Sequence, residues 1–353
     1  MKSLQNLKAL ILIISFLVAS TGVKAYDFIY NNVYYTILSS VPPYTCEVDS
    51  GPTKYVGNIV IPSTATSTNN YTVIKIADGA FYQSTGMTSL YVPATVTEIQ
   101  PFAFTGCESM TSVSLPNTVT SIGASSFLNC KALTSITIPA SLTTIEPSTF
   151  QNCWALSSVN LQLGVNTIGI AAFSNCIGLT SMVFPSSVTT IGGQAMMGCT
   201  NLSSVTFSPS LTSIGDMAFY LCSSLSNVTA LGTVPASCFD TTFLGLYTCT
   251  LHVRSGYGTT YQAATGWNIF AGNIVQDAIL GVNETNSSTL KITVQNGQLV
   301  VVNAPVGETI TVYTLQGNAI LKHTITSNDI STNLPAKGVY VVCVGGKSVK
   351  VVY

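Results

Sequence analysis

The chain has 353 residues, 47% of them hydrophobic and only 7% charged, with a formal net charge of −1. Eleven Lys and a single Arg, Arg254, cannot build the basic stripe that neutralises phosphates, which excludes a nucleic-acid binder. Disorder goes with low hydrophobicity and high net charge, the opposite of this composition, so the chain is expected to fold behind a surface of Ser, Thr and Asn.

At the N-terminus, Lys2 and Lys8 accompany a run from Ala9 to Val18 that is apolar except for Ser15, and Val23-Lys24-Ala25 follows as a small-residue cleavage site. That layout predicts a secretory signal peptide over 1–25, cut before Tyr26. The run is shorter than the roughly 20 apolar residues of a spanning helix. A retained N-terminal anchor is the alternative, and no transmembrane segment is expected once the signal is removed. Residues 26–76 read as an N-terminal β cap. Phe28 to Ile37 alternate around Asn31-Asn32 as a hairpin, and strands follow at Val56–Ile61 and Tyr71–Ile76.

From residue 77 to 230 one phrase recurs. Its aromatic position falls at Phe81, Phe104, Phe127, Phe150, Phe173, Met196 and Phe219, always 23 residues apart. A fixed period of this length marks a stacked repeat architecture. In the copy from Phe127, Phe127 to Cys130 is a turn and Leu133-x-x-Ile136-x-Ile138 a strand ended by Pro139. Leu142 to Ile145 is a second short extended piece. One coil cannot bury Leu133, Ile136, Ile138, Leu142, Ile145 and Phe150 alone, but a stack buries them between neighbours. Gln162 stands where other coils carry the strand-ending Pro, and Pro209 is displaced by one. The next Phe, Phe239, comes after only 20 residues, so regularity is expected to end after Cys222.

Residues 231–275 read as the C-terminal cap, with a strand at Thr248–Val253, a short helix over Tyr261–Trp267, and Ile269, Phe270 and Ile274 closing the core. Residues 276–288 are a polar linker. Residues 289–353 alternate in about six or seven short strands with turns at Asn296-Gly297, Gln316-Gly317-Asn318 and Gly345-Gly346-Lys347, which predicts a small β-sandwich. The fold class is thus mainly β: a solenoid of seven 23-residue coils with terminal caps, followed by the sandwich. A parallel β-helix also accepts a period near 23.

The phrase Ala-Phe-x-x-Cys-x-x-Leu-Thr-Ser-Val-x-Leu-Pro-x-x-Val-Thr-x-Ile-Gly, carried closely by Ala103 to Cys107 and Ala218 to Cys222, resembles the BspA-like leucine-rich repeats of Bacteroidetes-type bacteria. The C-terminal residues Val312 to Gly317, Leu334 to Val342 and Lys350 to Val352 resemble a type IX secretion sorting domain. The resemblance implies an exported protein, extracellular or on the outer cell surface, that adheres to an unknown protein or glycan on host or bacterial surfaces. A carbohydrate-binding accessory protein is the alternative, with Tyr91 and Trp154 as the candidate aromatic platforms.

Enzyme chemistry finds little footing. Between Phe81 and Leu231 the charged residues are Glu98, Glu108, Lys131, Glu146 and Asp216, and there is no His. Glu98 and Glu146 lie two coils apart and read as solvated surface carboxylates rather than a glycosidase pair. No catalytic residue, cofactor or metal site is predicted. Cys107, Cys130, Cys153, Cys176, Cys199 and Cys222 repeat with the Phe. Parallel stacked thiols suit disulfide geometry poorly, so they read as a ladder of small buried hydrophobes. Cys238 and Cys249 could pair within the C-terminal cap.

The candidate binding face comes from strand alternation, which turns the positions between the apolar residues outward. One predicted row is Tyr91, Ser114, Thr137, Asn160, Val183, Thr206 and Thr229. Thr88 and its equivalents form a second, and Thr97 and its equivalents a third. Thr and Ser also suit any exposed strand. Tyr91, Asn160 and Val183 break the hydroxyl monotony and are the better candidates for contacts.

Overall fold

The computed structural model describes residues 26–277 and, further on, 291–295, 298–302, 309–314, 319–324, 330–334, 339–344 and 347–352. The expected signal peptide, the linker beyond Asp277 and the turns at 296–297, 316–318 and 345–346 lie outside the described residues. The chain divides into two compact units, with the boundary after Ala278.

The first unit is a stack of short coils, each with three sides: a turn, a main strand and a two-residue strand. The turn side carries the repeated aromatic. Phe81, Phe104, Phe127, Phe150 and Phe173 are fully buried, and successive rings stack with centroids 4.9–5.3 Å apart. Their backbones pair in step: Phe104 N donates to Ser126 O at 2.7 Å, Phe127 N to Thr149 O at 2.9 Å and Phe150 N to Ala172 O at 2.8 Å. Each turn holds two left-handed residues, one on either side of the aromatic. Ser125, Ser148 and Ala171 precede it at φ 53–56°, while Asn129, Asn152 and Asn175 follow it at φ 58–60°. Asn tolerates this region better than most residues. Here its amide is also used, since Asn152 Nδ2 donates to Asn129 Oδ1 and Asn175 Nδ2 to Asn152 Oδ1, both at 2.9 Å.

The cysteine ladder is buried, as expected, but it is also bonded. Each thiol donates to the carbonyl of the aromatic position 26 residues earlier: Cys107 to Phe81 at 3.2 Å, Cys130 to Phe104 at 3.3 Å, Cys153 to Phe127 at 3.2 Å, and so on to Cys222 and Met196 at 3.2 Å. The weak thiol donor adds a second bond to a carbonyl that already accepts a backbone N–H within its own turn, as Phe127 O does from Cys130 N at 3.2 Å. Cys238 and Cys249 are not joined: the Cys238 thiol donates to Thr265 O at 3.1 Å and Cys249 is buried in the core.

The main strands form a parallel column of ten, from Val56–Val60 through Gly86–Tyr91 to Thr250–Arg254 and Ile274–Asp277. This is three more than the seven copies of the phrase. Parallel pairing needs only backbone, so it continues where the Phe-x-x-Cys signature stops: Asn227 pairs Thr250, and Leu251 pairs Ile274. The aromatic column also continues, through Phe243 rather than Phe239. Phe243 is fully buried and stacks on Phe219 at 5.4 Å, whereas Phe239 is 56% exposed. The short helix runs Gly258–Ala263, earlier than expected, and Gly266 follows it at φ +74°. Trp267 and Phe270 close the core beyond Phe243, at 5.1 Å from its ring in each case.

At the other end, Phe28–Tyr30 and Val33–Ser39 form the expected hairpin, with Asn31 and Asn32 both at positive φ. The following strand, Thr45–Asp49, pairs parallel with Asn70–Ile76, which pairs parallel with Glu98–Ile99 and so begins the column of short strands. Asp49, fully buried, accepts from Thr36 Oγ1 at 2.6 Å and Ser50 N at 2.7 Å, fixing the hairpin to that column.

Among the described residues, the second unit has seven antiparallel strands in sheets of three and four. Leu299, Ile310, Val312, Leu334, Tyr340, Val342 and Val351 form its core. Two sheets around one apolar layer match the β-sandwich expectation.

Candidate interaction face

The main strands place the seven predicted row residues in three registered runs. Tyr91 pairs Ser114, Thr137 pairs Asn160, and Val183 pairs Thr206, which pairs Thr229. Tyr91 is 50% exposed and Val183 65%; Ser114, Thr137 and Asn160 are exposed, and Thr206 and Thr229 half-buried. Three further residues belong to this row. Val60 pairs Tyr91, Thr229 pairs His252, and His252 pairs Val275. Counting 23 from Thr229 lands on His252 and then Val275, so the sequence held that signal. Val60 lies 31 residues before Tyr91 and could be found only by pairing. His252, in this row, has its Nδ1 2.9 Å from Asp277 Oδ2, two residues beyond Val275.

The three hydroxyl rows are not alike. In the Thr88 row, five hydroxyls donate to the carbonyl one coil earlier: Thr111 to Thr88 at 3.1 Å, Thr134 to Thr111 at 3.3 Å, Ser157 to Thr134 at 3.2 Å, Ser203 to Thr180 at 2.9 Å and Ser226 to Ser203 at 3.3 Å. The Thr97 row does the same at Thr120, Thr189 and Thr212, at 3.2, 3.3 and 2.9 Å. These side chains are exposed, yet their donors already serve the stack. The hydroxyls of Ser114, Thr137, Thr206 and Thr229 make no hydrogen bond to another described residue, so their donors and acceptors face outward unspent.

The column is interrupted on this face. Ser158–Asn160 does not pair with Ser181–Val183. Most Cα pairs between these two strands lie beyond 8 Å, whereas most between Ser135–Thr137 and Ser158–Asn160 lie within it. A shallow groove of about 310 Å³ occupies the gap, lined by Ser157 to Leu161 on one side and by Ser181, Val183 and Pro185 on the other. Ser112–Ser114 and Ser135–Thr137 are also unpaired as strands, though closer together. The short-strand column breaks once, between Ser121–Ile122 and Thr144–Ile145.

Other predicted features lie off this face. Glu98 is not simply solvated, because Lys75 Nζ meets its carboxylate at 2.7 Å. Trp154 is on the turn side, with Lys131 Nζ 4.9 Å from its ring centroid and bonded to Glu108 at 2.7 Å.

A repeated Phe-x-x-Cys turn, a parallel strand column and a two-residue strand column are now all in place, and the family match agrees with them. The model of the BspA type leucine rich repeat region matches in six copies over residues 74–195 and 145–252, together more than half of the chain. The chain belongs to the BspA-type leucine-rich repeat family. As a BspA-type solenoid it is a scaffold whose extended faces suit protein–protein contact, and such repeat proteins are typically non-enzymatic. It is similar to a leucine-rich repeat protein of Bacteroides ovatus at 22% identity, covering 71% of this chain and 82% of that one with a TM-score of 0.35. It is similar to the T. pallidum leucine rich repeat protein at 23% identity, covering 61% and 87% with a TM-score of 0.42. A leucine rich cell surface protein of Faecalibacterium prausnitzii matches at 17% identity, covering 72% and 95% with a TM-score of 0.35. No curated protein matches by sequence. Residues 280–353 match a domain of unknown function, DUF6383. Among the described residues, no helix is long and apolar enough to cross a membrane.

Proposed function

We propose that this BspA-type protein is exported to the cell surface and binds protein partners on host or bacterial surfaces through the row from Tyr91 to Thr229. The observation that carries the reading is the contrast among hydroxyl rows. Two rows are bonded into the stack, while Ser114, Thr137, Thr206 and Thr229 keep their hydroxyls for a partner. Uncharged rows of this kind bind by shape and hydrogen bonds rather than by long-range steering. The C-terminal domain would then serve export or attachment, as its sorting-like residues suggest.

Two measurements test this. Protease shaving of intact cells should release peptides from residue 26 onward, and their absence would remove the surface location. The full chain should bind a panel of host matrix proteins and bacterial cells, and Ser114→Arg with Thr206→Arg should abolish that binding at unchanged melting temperature. Unaltered binding would move the site off this row. A carbohydrate-binding role is the second reading, favoured by the half-exposed Tyr91 ring among hydroxyls. A glycan array probed with the full chain decides it, since no bound glycan would leave the protein reading alone.

A further inference from the structure

We propose that the break between Ser158–Asn160 and Ser181–Val183 is a slot for an extended, uncharged polypeptide strand. The proposal rests on the reading of this face as the binding face, and it names the form the partner takes there.

The slot begins in the backbone. At paired levels, Ile138 N donates to Asn160 O and Phe184 N to Thr206 O, both at 3.0 Å, and Ser157 N donates to Thr134 O at 2.9 Å. Across the break, among the described residues, Leu161 N has no bond to Val183 O and Thr180 N none to Ser157 O. The hydroxyl ladder is interrupted at the same level. Thr134, Ser157, Ser203 and Ser226 each donate to the preceding coil, and Thr180 does not. Each lip therefore offers both N–H and C=O groups, which an extended chain can complement by adding as a strand.

The opening is confined to one side of the stack. At this level the turns stay bonded, Phe150 N to Ala172 O at 2.8 Å, and the short strands stay paired, Thr167 to Thr190. A difference in the core marks this level. Leu161 is half-buried, and one coil on its place is taken by Phe184, whose ring stacks on Phe207 at 5.9 Å. The change from Leu to Phe coincides with the level at which the strand side opens while the turn side stays bonded. Gln162 adds to this, because the Pro found at the equivalent position in neighbouring coils would have restricted the backbone there.

The lining sets the partner's chemistry. The groove carries hydroxyls, one amide and the apolar Val159, Leu161, Val183 and Pro185, and no charged or aromatic side chain borders it. Backbone groups on facing lips suit a repeating N–H and C=O pattern, which a peptide has and a sugar lacks. An uncharged segment fits because nothing there would pair a charge.

Hydrogen exchange on the full chain tests the slot. Without ligand, amides at 157–161 and 180–184 should exchange faster than their equivalents at 203–207 and 226–230, which are paired on both sides. An alternating Thr-Val octapeptide should slow both lips and leave the other coils unchanged, and the same peptide N-methylated at alternate amides should not. Asn160→Arg with Val183→Arg should weaken the octapeptide about tenfold or more, while Ser114→Arg should not. Equal exchange at all levels in the free protein, or equal protection by the N-methylated peptide, overturns the slot. If Ser114→Arg with Thr206→Arg abolishes surface binding but the slot variants bind normally, the broad face stands and the slot falls. Peptide protection at the lips, with surface binding indifferent to Ser114→Arg and Thr206→Arg, keeps the slot and removes the broad face.

Discussion

The turn side and the strand side of the solenoid are built from the same 23-residue phrase but behave differently. On the turn side every repeated group is engaged: rings stack on rings, thiols on carbonyls and amides on amides. On the strand side one hydroxyl row is engaged and one is not, and the backbone ladder itself is interrupted at Asn160 and Val183. A stack clamped along one side can tolerate variation and gaps along another. The contrast implies that stability resides in the turns and leaves the strands free for the recognition proposed above.

Alkali should break the clamp most completely. Burial pushes the thiols of Cys107, Cys153 and Cys199 from the ordinary 9.0 up to about 12, and raises Cys130 and Cys176 well above it. The neutral thiol is thus favoured in the fold. Stability is intact below pH 9 and is lost as pH rises from there through 12, because only the unfolded chain can ionise freely. Circular dichroism against pH should show cooperative unfolding in that window. A Cys-to-Ala series that leaves the midpoint unmoved would assign the transition to other groups.

Single substitutions grade the comparison further. Phe127→Ala should cost about 3–5 kcal/mol by chemical denaturation, since it opens a cavity under two stacked rings. A loss below about 1 kcal/mol would contradict its place in the core. Cys153→Ala removes one of the two donors to the Phe127 carbonyl, which keeps the N–H of Cys130, and should cost about 1.5 kcal/mol. Asn152→Ala keeps the left-handed turn but removes two amide bonds on an edge partly open to water, for about 1 kcal/mol. The smallest and sharpest test pairs Thr134→Val with Thr137→Val. The first loses a hydrogen bond worth about 0.5 kcal/mol, and the second should fall within about 0.5 kcal/mol of zero in either direction. If Thr137→Val proves the costlier, the division of labour between the rows is wrong.

Periodicity made the architecture readable, because the Phe and Cys positions are repeated covalently before they are repeated in space. It also set the candidate row, since strand alternation follows from backbone geometry alone. What it could not reveal were relations between coils. Thr134 and Thr137 are the same residue type three residues apart in one coil, and only the position of the Thr111 carbonyl separates their roles. Phe239 looked like the next aromatic, but the insertion before Phe243 moved the buried position beyond it. The thiol bonds were hidden because the acceptor lies 26 residues away, one period plus a turn. The break beside Asn160 needed the size of Phe184 measured against Leu161 one coil earlier, a mismatch that each copy conceals when read singly. The missing Pro at Gln162 was its one visible trace.

The bonding distance along the chain carries a last consequence. Thr134 reaches back 23 residues, Asn152 reaches back 23, and Cys153 reaches back 26. None of these contacts skips a coil. Removing or duplicating one whole period in the gene would therefore rejoin every ladder to an equivalent partner, leaving both ends of the solenoid as they were. The length of the face is a heritable variable that can change in steps of one coil, so a lineage could lengthen or shorten its reach toward a surface without redesigning a core.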